Sequence, residues 1–208
     1  MQKDIAYWDG YYSKSRQEIS TPSGFAKYAM EQMKSGKKLI DLGCGNGRDS
    51  AFFCQNGLMV TAVDSSKSAI ESIDSRNMPI FAVCNDFVTT KALSCIDYDY
   101  CYARWVIHAI NQAQQDVLIP RVYNALKKDG LFFVEVRTVN DAKYGQGEPL
   151  GKHEYFFDNH YRRFIEPDQL ISQVKGLGFS ILACEESDAF SVVGEDMPTL
   201  LRLIARKE

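Results

Sequence analysis

The 208-residue chain has only three histidines, none at metal-ligand spacing, and its six cysteines form no Cys-x-x-Cys pair. The first absence argues against a structural zinc site. The cysteines stand at 44, 54, 84, 95, 101 and 184, several within apolar segments. They read as buried, reduced thiols of a cytoplasmic protein rather than a disulfide framework. There is no basic block, and the net charge is −3, which argues against a nucleic-acid substrate. No apolar run approaches the roughly 20 residues that cross a bilayer. Met1-Gln2-Lys3-Asp4 lacks the shape of a signal peptide, so no membrane partner is expected. Repeats, low-complexity tracts and linkers are also missing. The expectation is one domain over residues 1–208, long enough for a substantial core.

What is present centres on Leu39-Ile40-Asp41-Leu42-Gly43-Cys44-Gly45-Asn46-Gly47. A short apolar run ends in an acid, breaks into alternating glycines, and leads into the helical-looking Arg48–Cys54. This pattern describes a strand that turns over a ligand and enters a helix. The glycines let backbone approach the ligand without an intervening Cβ. A dinucleotide loop wants Gly-x-Gly-x-x-Gly, but the place of its third glycine holds the bulky Arg48. A P-loop would end in Gly-Lys-Ser/Thr, which is also absent. A loop without phosphate marks, led by Asp41, suits a ligand that carries positive charge. Residues 41–47 resemble motif I of the class I S-adenosylmethionine-dependent methyltransferases.

Along the chain, aromatic-rich residues 3–12 predict a short helix, and Thr21-Pro22 a second one that Gly36 ends. Phe25, Tyr28, Ala29 and Met33 give the second helix its apolar stripe. Residues 1–35 then form a helical segment that either lies over the cofactor as a lid, through Tyr11, Tyr12 and Phe25, or simply packs on the first helix. Strands are expected at 58–64, 80–84, 98–103 and 131–137, and helices at 48–56, 66–76 and 112–128. The last of these helices is closed by Lys127, Lys128 and Gly130. Residues 139–166 lack a helical period and are too long for an ordinary connection, yet too aromatic for disorder. They read as an ordered substrate cover. Pro167 opens a helix over 167–177, and strands at 179–183 and 200–205 pair as a hairpin. The alternation predicts an α/β fold with a mainly parallel sheet. The resemblance implies a Rossmann-like sheet of seven strands, with helices on both faces and the hairpin antiparallel.

In such sheets ligands bind outside the carboxyl ends of the strands. By resemblance Asp41, Gly43, Cys44, Gly45, Asn46 and Gly47 hold the cofactor, and Asp64 with Ser65 takes the ribose hydroxyls. Asp86 and Phe87 take the adenine, while Ala103, Arg104 and Tyr11 complete the cofactor site. The implied cofactor is S-adenosylmethionine, with S-adenosylhomocysteine as product and no metal. His108 sits just past the fourth strand, either as a general base or packed under the next helix. Tyr12, Arg104, Arg137, His160, Tyr161, Arg162 and Arg163 are the candidates for the methyl acceptor. Arginine suits a bidentate grip on phosphate or carboxylate, so a small anionic oxygen acceptor is expected. The adjacent Arg162 and Arg163 leave a solvated surface as the alternative.

Residues 45–50, 7–12 and 160–164 are similar to small bacterial methyltransferases of surface-polysaccharide and phosphonate-type pathways, and more distantly to tellurite-resistance methyltransferases. Two other functions stay open: methylation of a neutral hydroxyl with His108 as base, and a non-catalytic cofactor-binding module. Ala103-Arg104-Trp105-Val106 replaces the Asp/Asn-Pro-Pro-aromatic element of DNA amino-methyltransferases, which counts against that class. None of these features bears on oligomeric state.

Overall fold

The structure, a computed structural model, describes residues 2–14, 21–74, 78–94, 97–192 and 194–208. Its main sheet runs in the order β3 (Ile80–Cys84), β2 (Met59–Asp64), β1 (Lys38–Leu42), β4 (Tyr98–Arg104), β5 (Leu126–Arg137), β10 (Leu200–Lys207), β9 (Phe179–Ser187). The first five strands are parallel, while β10 pairs antiparallel with both β5 and β9. The expected seven-stranded α/β sheet with its terminal hairpin is therefore observed.

A sheet covered on both faces needs strands that are apolar at successive positions. Leu39 packs into one core cluster and its neighbour Ile40 into the other. Phe132 and Phe133 divide in the same way, as do Leu203 and Ile204. On one face lie α2 (Gly24–Met30), α3 (Arg48–Gln55) and α4 (Lys67–Asp74), through Phe25, Phe53 and Ile70. On the other lie α5 (Gln112–Ala125) and α6 (Pro167–Gly176), through Leu118, Val122, Leu170 and Val174.

Several boundaries differ from expectation. The second helix starts after Thr21-Pro22, because Ser23 caps it with its hydroxyl on the Ala26 N–H. Helix α5 stops at Ala125, and Lys127 and Lys128 already belong to β5. The left-handed residue there is Asp129 (φ 62°), not Gly130. Gly130 is needed for closeness instead: a Cβ on it would lie 2.8 Å from the Lys127 carbonyl oxygen. Cys95 and residues 75–76 of the expected 66–76 helix lie outside the described residues.

The stretch 139–166 holds regular structure that has no helical period to betray it. Three four-residue strands, β6 (Glu148–Gly151), β7 (Glu154–Phe157) and β8 (His160–Arg163), form a separate antiparallel sheet. Asp158 and Asn159, both at positive φ, make the two-residue turn between β7 and β8. A parallel bridge from Thr138 to Ile165 ties this small sheet to the end of β5.

Candidate active site

At the carboxyl ends of β1, β2, β4 and β5 lies a cavity of about 500 Å³. Its floor is the turn after β1. Gly43, Gly45 and Gly47 stand at φ 63°, 54° and 74°, a region that side-chain-bearing residues rarely enter. A Cβ on Gly43 would also come within 2.7 Å of Val106 Cγ2, so the turn has no room for one.

Three carboxylates face this floor, and each is held by internal donors. Asp41 is buried and receives the Ser50 hydroxyl at 2.5 Å. Burial pushes its pKa up to about 8. Asp64 receives Gly45 N–H and Ser66 N–H, both at 2.8 Å, and so ties the glycine turn to the start of α4. Burial raises its pKa against the pull of those two N–H groups. Asp49 binds Ser23 through both the N–H (2.9 Å) and the hydroxyl (2.7 Å), and pairs with Arg48 at 3.1 Å. A floor of glycine backbone and carboxylates fits a cationic ligand rather than a phosphate.

Helix α1 (Gln2–Lys14) forms the roof. Tyr12 lies directly over the turn, where a Cβ on Gly45 would meet its hydroxyl oxygen at 2.3 Å. Trp8 stacks on Tyr12, and Tyr7 stacks on His160 of β8 at 4.8 Å. Asp9 anchors the helix. Its Oδ1 accepts Ser68 N–H and the Ser66 hydroxyl, both at 2.9 Å, and thereby caps α4. The Ser68 N–H, followed by the Ser66 hydroxyl, draws the Asp9 pKa below 3.8. A depressed carboxylate pKa adds docking stability that is complete above 3.8 and lost as pH falls through the lower bound-state value. Asp9→Ala should therefore expose Trp8 at neutral pH and red-shift its fluorescence. The contribution of Asp9 to the wild-type emission should be lost only as pH falls below the ordinary carboxylate range. An unshifted spectrum in the variant would show that the roof is held by its aromatic stacking alone.

The far end of the cavity is cationic but mostly compensated. Arg104 Nε pairs with the fully buried Glu135 at 3.0 Å. Arg137 Nη1 pairs with Asp141 at 2.9 Å and its other amino group with Asp196, which also takes Lys143 at 2.9 Å. Arg162 differs. Its Nε donates to His160 Nε2 at 2.9 Å, and its nearest carboxylate contact, to Asp158, is 3.8 Å long. Its Nη1 is buried without a hydrogen-bond partner.

His108 is buried at the same end, and its Nδ1 accepts the Arg137 N–H at 3.0 Å. The reason is topological. β4 pairs with β5 only as far as Arg104 and Glu135, so the next N–H of β5 that faces this way has no strand partner. The imidazole stands in for one.

Of the expected site residues, the cavity gathers Tyr11, Tyr12, Asp41, Gly43, Cys44, Gly45, Asn46, Asp64, Ser65 and Phe87 around its cofactor end. Arg104, His108, Arg137, His160, Tyr161 and Arg162 line the other end. Four expected residues do not line it. Gly47 is the N-cap position of α3. Asp86 turns back to accept Val88 N–H at 2.7 Å. Ala103, within β4, is packed into the core. Arg163 points away, toward Gln112, Gln115 and the Ile107 carbonyl. Residues not foreseen at the site include Tyr7, Trp8, Asp49, Trp105, Lys143 and Asp196, which line it, and Glu135, which holds Arg104 and Trp105 from behind. Glu135 had a visible signal, a lone acid inside Phe132-Phe133-Val134-Glu135-Val136.

The order of the sheet, the glycine turn after β1 and the acid after β2 define a Rossmann-like α/β protein whose ligand lies across the strand ends. A family model described as a methyltransferase domain matches residues 14–183, and the chain belongs to that family. A ubiquinone biosynthesis O-methyltransferase of Rickettsia typhi is 25% identical over 184 residues, covering 74% of this chain and 71% of that protein. Among solved structures, a SAM-dependent methyltransferase of Methanosarcina mazei aligns with a TM-score of 0.75 at 13% identity, over 86% of this chain and 96% of its own. The 1,6-didemethyltoxoflavin-N1-methyltransferase of Burkholderia thailandensis, solved with bound 1,6-didemethyltoxoflavin and S-adenosylhomocysteine, aligns with a TM-score of 0.68 at 18% identity, over 88% of this chain and 76% of its own. These two likenesses speak for the fold.

Proposed function

We propose that this chain transfers a methyl group from S-adenosylmethionine to an oxygen of a small acceptor that carries an anionic group. The donor supplies a methyl already activated on a sulfonium, so the chain's part is to hold and align. In this reading Asp64 takes the ribose, the glycine turn takes the amino-acid tail beside Asp41, and Phe87 packs on the base. Asp86 accepts Val88 N–H through one carboxylate oxygen and does not line the cavity, so it is left out of the site. Helix α1 and the small sheet cover the cavity, and the 1–208 chain acts as one domain.

The observation that carries the acceptor class is Arg162. Arg104 and Arg137 have carboxylate partners at 2.9–3.0 Å, while Arg162 has only Asp158 at 3.8 Å and keeps a buried Nη1 without a hydrogen-bond partner; Arg163 Nε is also unpartnered, but Arg163 does not line the cavity. An unsatisfied buried donor on a cation is costly unless a ligand completes it. Arg162→Ala should raise the acceptor KM by roughly ten- to a hundredfold, the worth of one charged hydrogen bond, and leave cofactor affinity unchanged. Arg163→Ala should leave KM unchanged and lower the melting temperature, because its partners are structural. Steady-state kinetics with phosphonates, phosphate monoesters and sugar acids, together with calorimetry on S-adenosylhomocysteine, separate these outcomes. An Arg162→Ala enzyme with unaltered KM would end the anionic-acceptor reading.

A further inference from the structure

Two imidazoles line the cavity, and both have their lone-pair nitrogen turned inward to the protein. His108 Nδ1 accepts Arg137 N–H at 3.0 Å. His160 Nε2 accepts Arg162 Nε–H at 2.9 Å, and its Nδ1 lies 3.0 Å from the Asp158 carbonyl, to which it donates. A neutral imidazole carries one proton, so each of these bonds fixes the tautomer. In His108 the proton is on Nε2, at the ring edge away from β5.

We infer that His108 serves the reaction as a fixed Nε2–H donor rather than a base, and that the acceptor atom enters the cavity already ionised. The inference rests on the methyltransferase reading above and narrows its acceptor. For Nε2 to take a proton while the ring stays neutral, the ring would need the Nδ1–H tautomer. That tautomer would set two donors, Nδ1–H and Arg137 N–H, against each other in a buried place. Taking the proton as imidazolium meets the same conflict, and four guanidiniums near the ring oppose it, while the carboxylates at that end, Glu135, Asp141 and Asp196, are themselves paired with Arg104 and Arg137. Arg137 comes from β5, Arg104 from the end of β4, and Arg162 and Arg163 from β8. Burial, then Arg137, then these other guanidiniums hold the His108 pKa well below the ordinary value of 6.5.

Among the described residues the carboxylates that line the cavity all accept from protein donors. Asp41 is bound by Ser50, Asp49 by Ser23 and Arg48, and Asp64 by two backbone N–H groups. Asp196 is bound by Arg137 and Lys143, and behind the wall Glu135 takes Arg104, Trp105 and Arg202. The transfer then balances without moving a proton. The acceptor's lone pair makes the new bond to the methyl carbon, and the pair of the broken carbon–sulfur bond stays on sulfur. One anion and one sulfonium become two neutral products. A carboxylate, a phosphonate or an acidic phenol meets this requirement, and an alkyl alcohol does not.

The deciding experiment needs no known acceptor. Long-range ¹H–¹⁵N spectra of ¹⁵N-histidine protein bound to S-adenosylhomocysteine report tautomer and titration directly, with His108→Gln assigning the signal. The expected result is an Nε2–H tautomer that does not titrate between pH 5.5 and 9. An Nδ1–H tautomer, or protonation near neutrality, overturns the inference. A second arm offers benzoate, phenylphosphonate, 4-nitrophenol and benzyl alcohol. Benzyl alcohol turnover that rises through an ionisation missing from His108→Gln also overturns it. A rate whose pH dependence follows the acceptor's own ionisation in both the wild type and His108→Gln, with the rate itself reduced at least tenfold in His108→Leu, supports it. Absence of binding heat with S-adenosylhomocysteine would instead bring down the methyltransferase reading, which the tautomer result alone does not touch.

Discussion

Asp64→Ala should lose S-adenosylhomocysteine binding to calorimetry while the protein still folds at a reduced melting temperature. The carboxylate has two duties at once. Oδ2 accepts Gly45 N–H and Oδ1 accepts Ser66 N–H, so one side chain sets the spacing between the glycine turn and α4. Its removal leaves two N–H groups without acceptors in a buried place, at about 1–3 kcal/mol each where water does not reach them. The same substitution takes away the free lone pairs that a vicinal diol would use. Two lost charge-assisted bonds correspond to roughly a hundredfold or more in affinity. Asp64→Asn separates the two duties. Its amide oxygen can keep one of the N–H groups, so stability should recover in part. Its amide nitrogen cannot accept from a hydroxyl, so binding should stay weak. Wild-type affinity in both variants would mean that the diol is held elsewhere.

That acid was legible because local spacing places it. A strand, a turn, a crossover helix and a second, parallel strand put Asp64 beside the glycines whatever the rest of the chain does. The sheet was legible for the same reason: successive apolar residues such as Leu39-Ile40 and Phe132-Phe133 serve opposite faces. The small sheet over 148–163 was not, because its strands are four residues long and their pairing depends on turns at His153 and Asp158-Asn159. The roles of the arginines were hidden too. All four look alike in the sequence, and what separates them is distant partners: Glu135 for Arg104, Asp141 and Asp196 for Arg137, Gln115 for Arg163. Only the fold reveals that Arg162 has no carboxylate closer than Asp158 at 3.8 Å. His108 shows the same limit. Its position marked it for the site, but its tautomer depends on an Arg137 N–H that β4 leaves unpaired.

The largest loss of stability should follow Glu135→Ala. Its carboxylate is fully buried and receives Arg104 Nε and Trp105 Nε1, each at 3.0 Å, and Arg202 Nε at 2.8 Å. It therefore joins the end of β4, the strained Trp105 at φ 62°, and β10. Truncation leaves two largely buried guanidiniums without their counter-charge, a change that costs about 3–5 kcal/mol in comparable buried pairs. In a chain of this size that is a fall of roughly 10 °C in melting temperature. Glu135→Gln keeps the volume and the Trp105 bond but removes the charge, so most of the loss should persist. The discriminating variant adds Arg202→Met to Glu135→Gln. Arg202 also lies over Phe190 at 4.1 Å and Phe25 at 5.4 Å, an apolar setting in which a methionine packs well. If the cost comes from stranded charge, the double variant should melt above the single one. If it melts lower still, Arg202 stabilises the hairpin through its ring contacts, and Glu135 matters chiefly as the partner of Arg104 and Trp105.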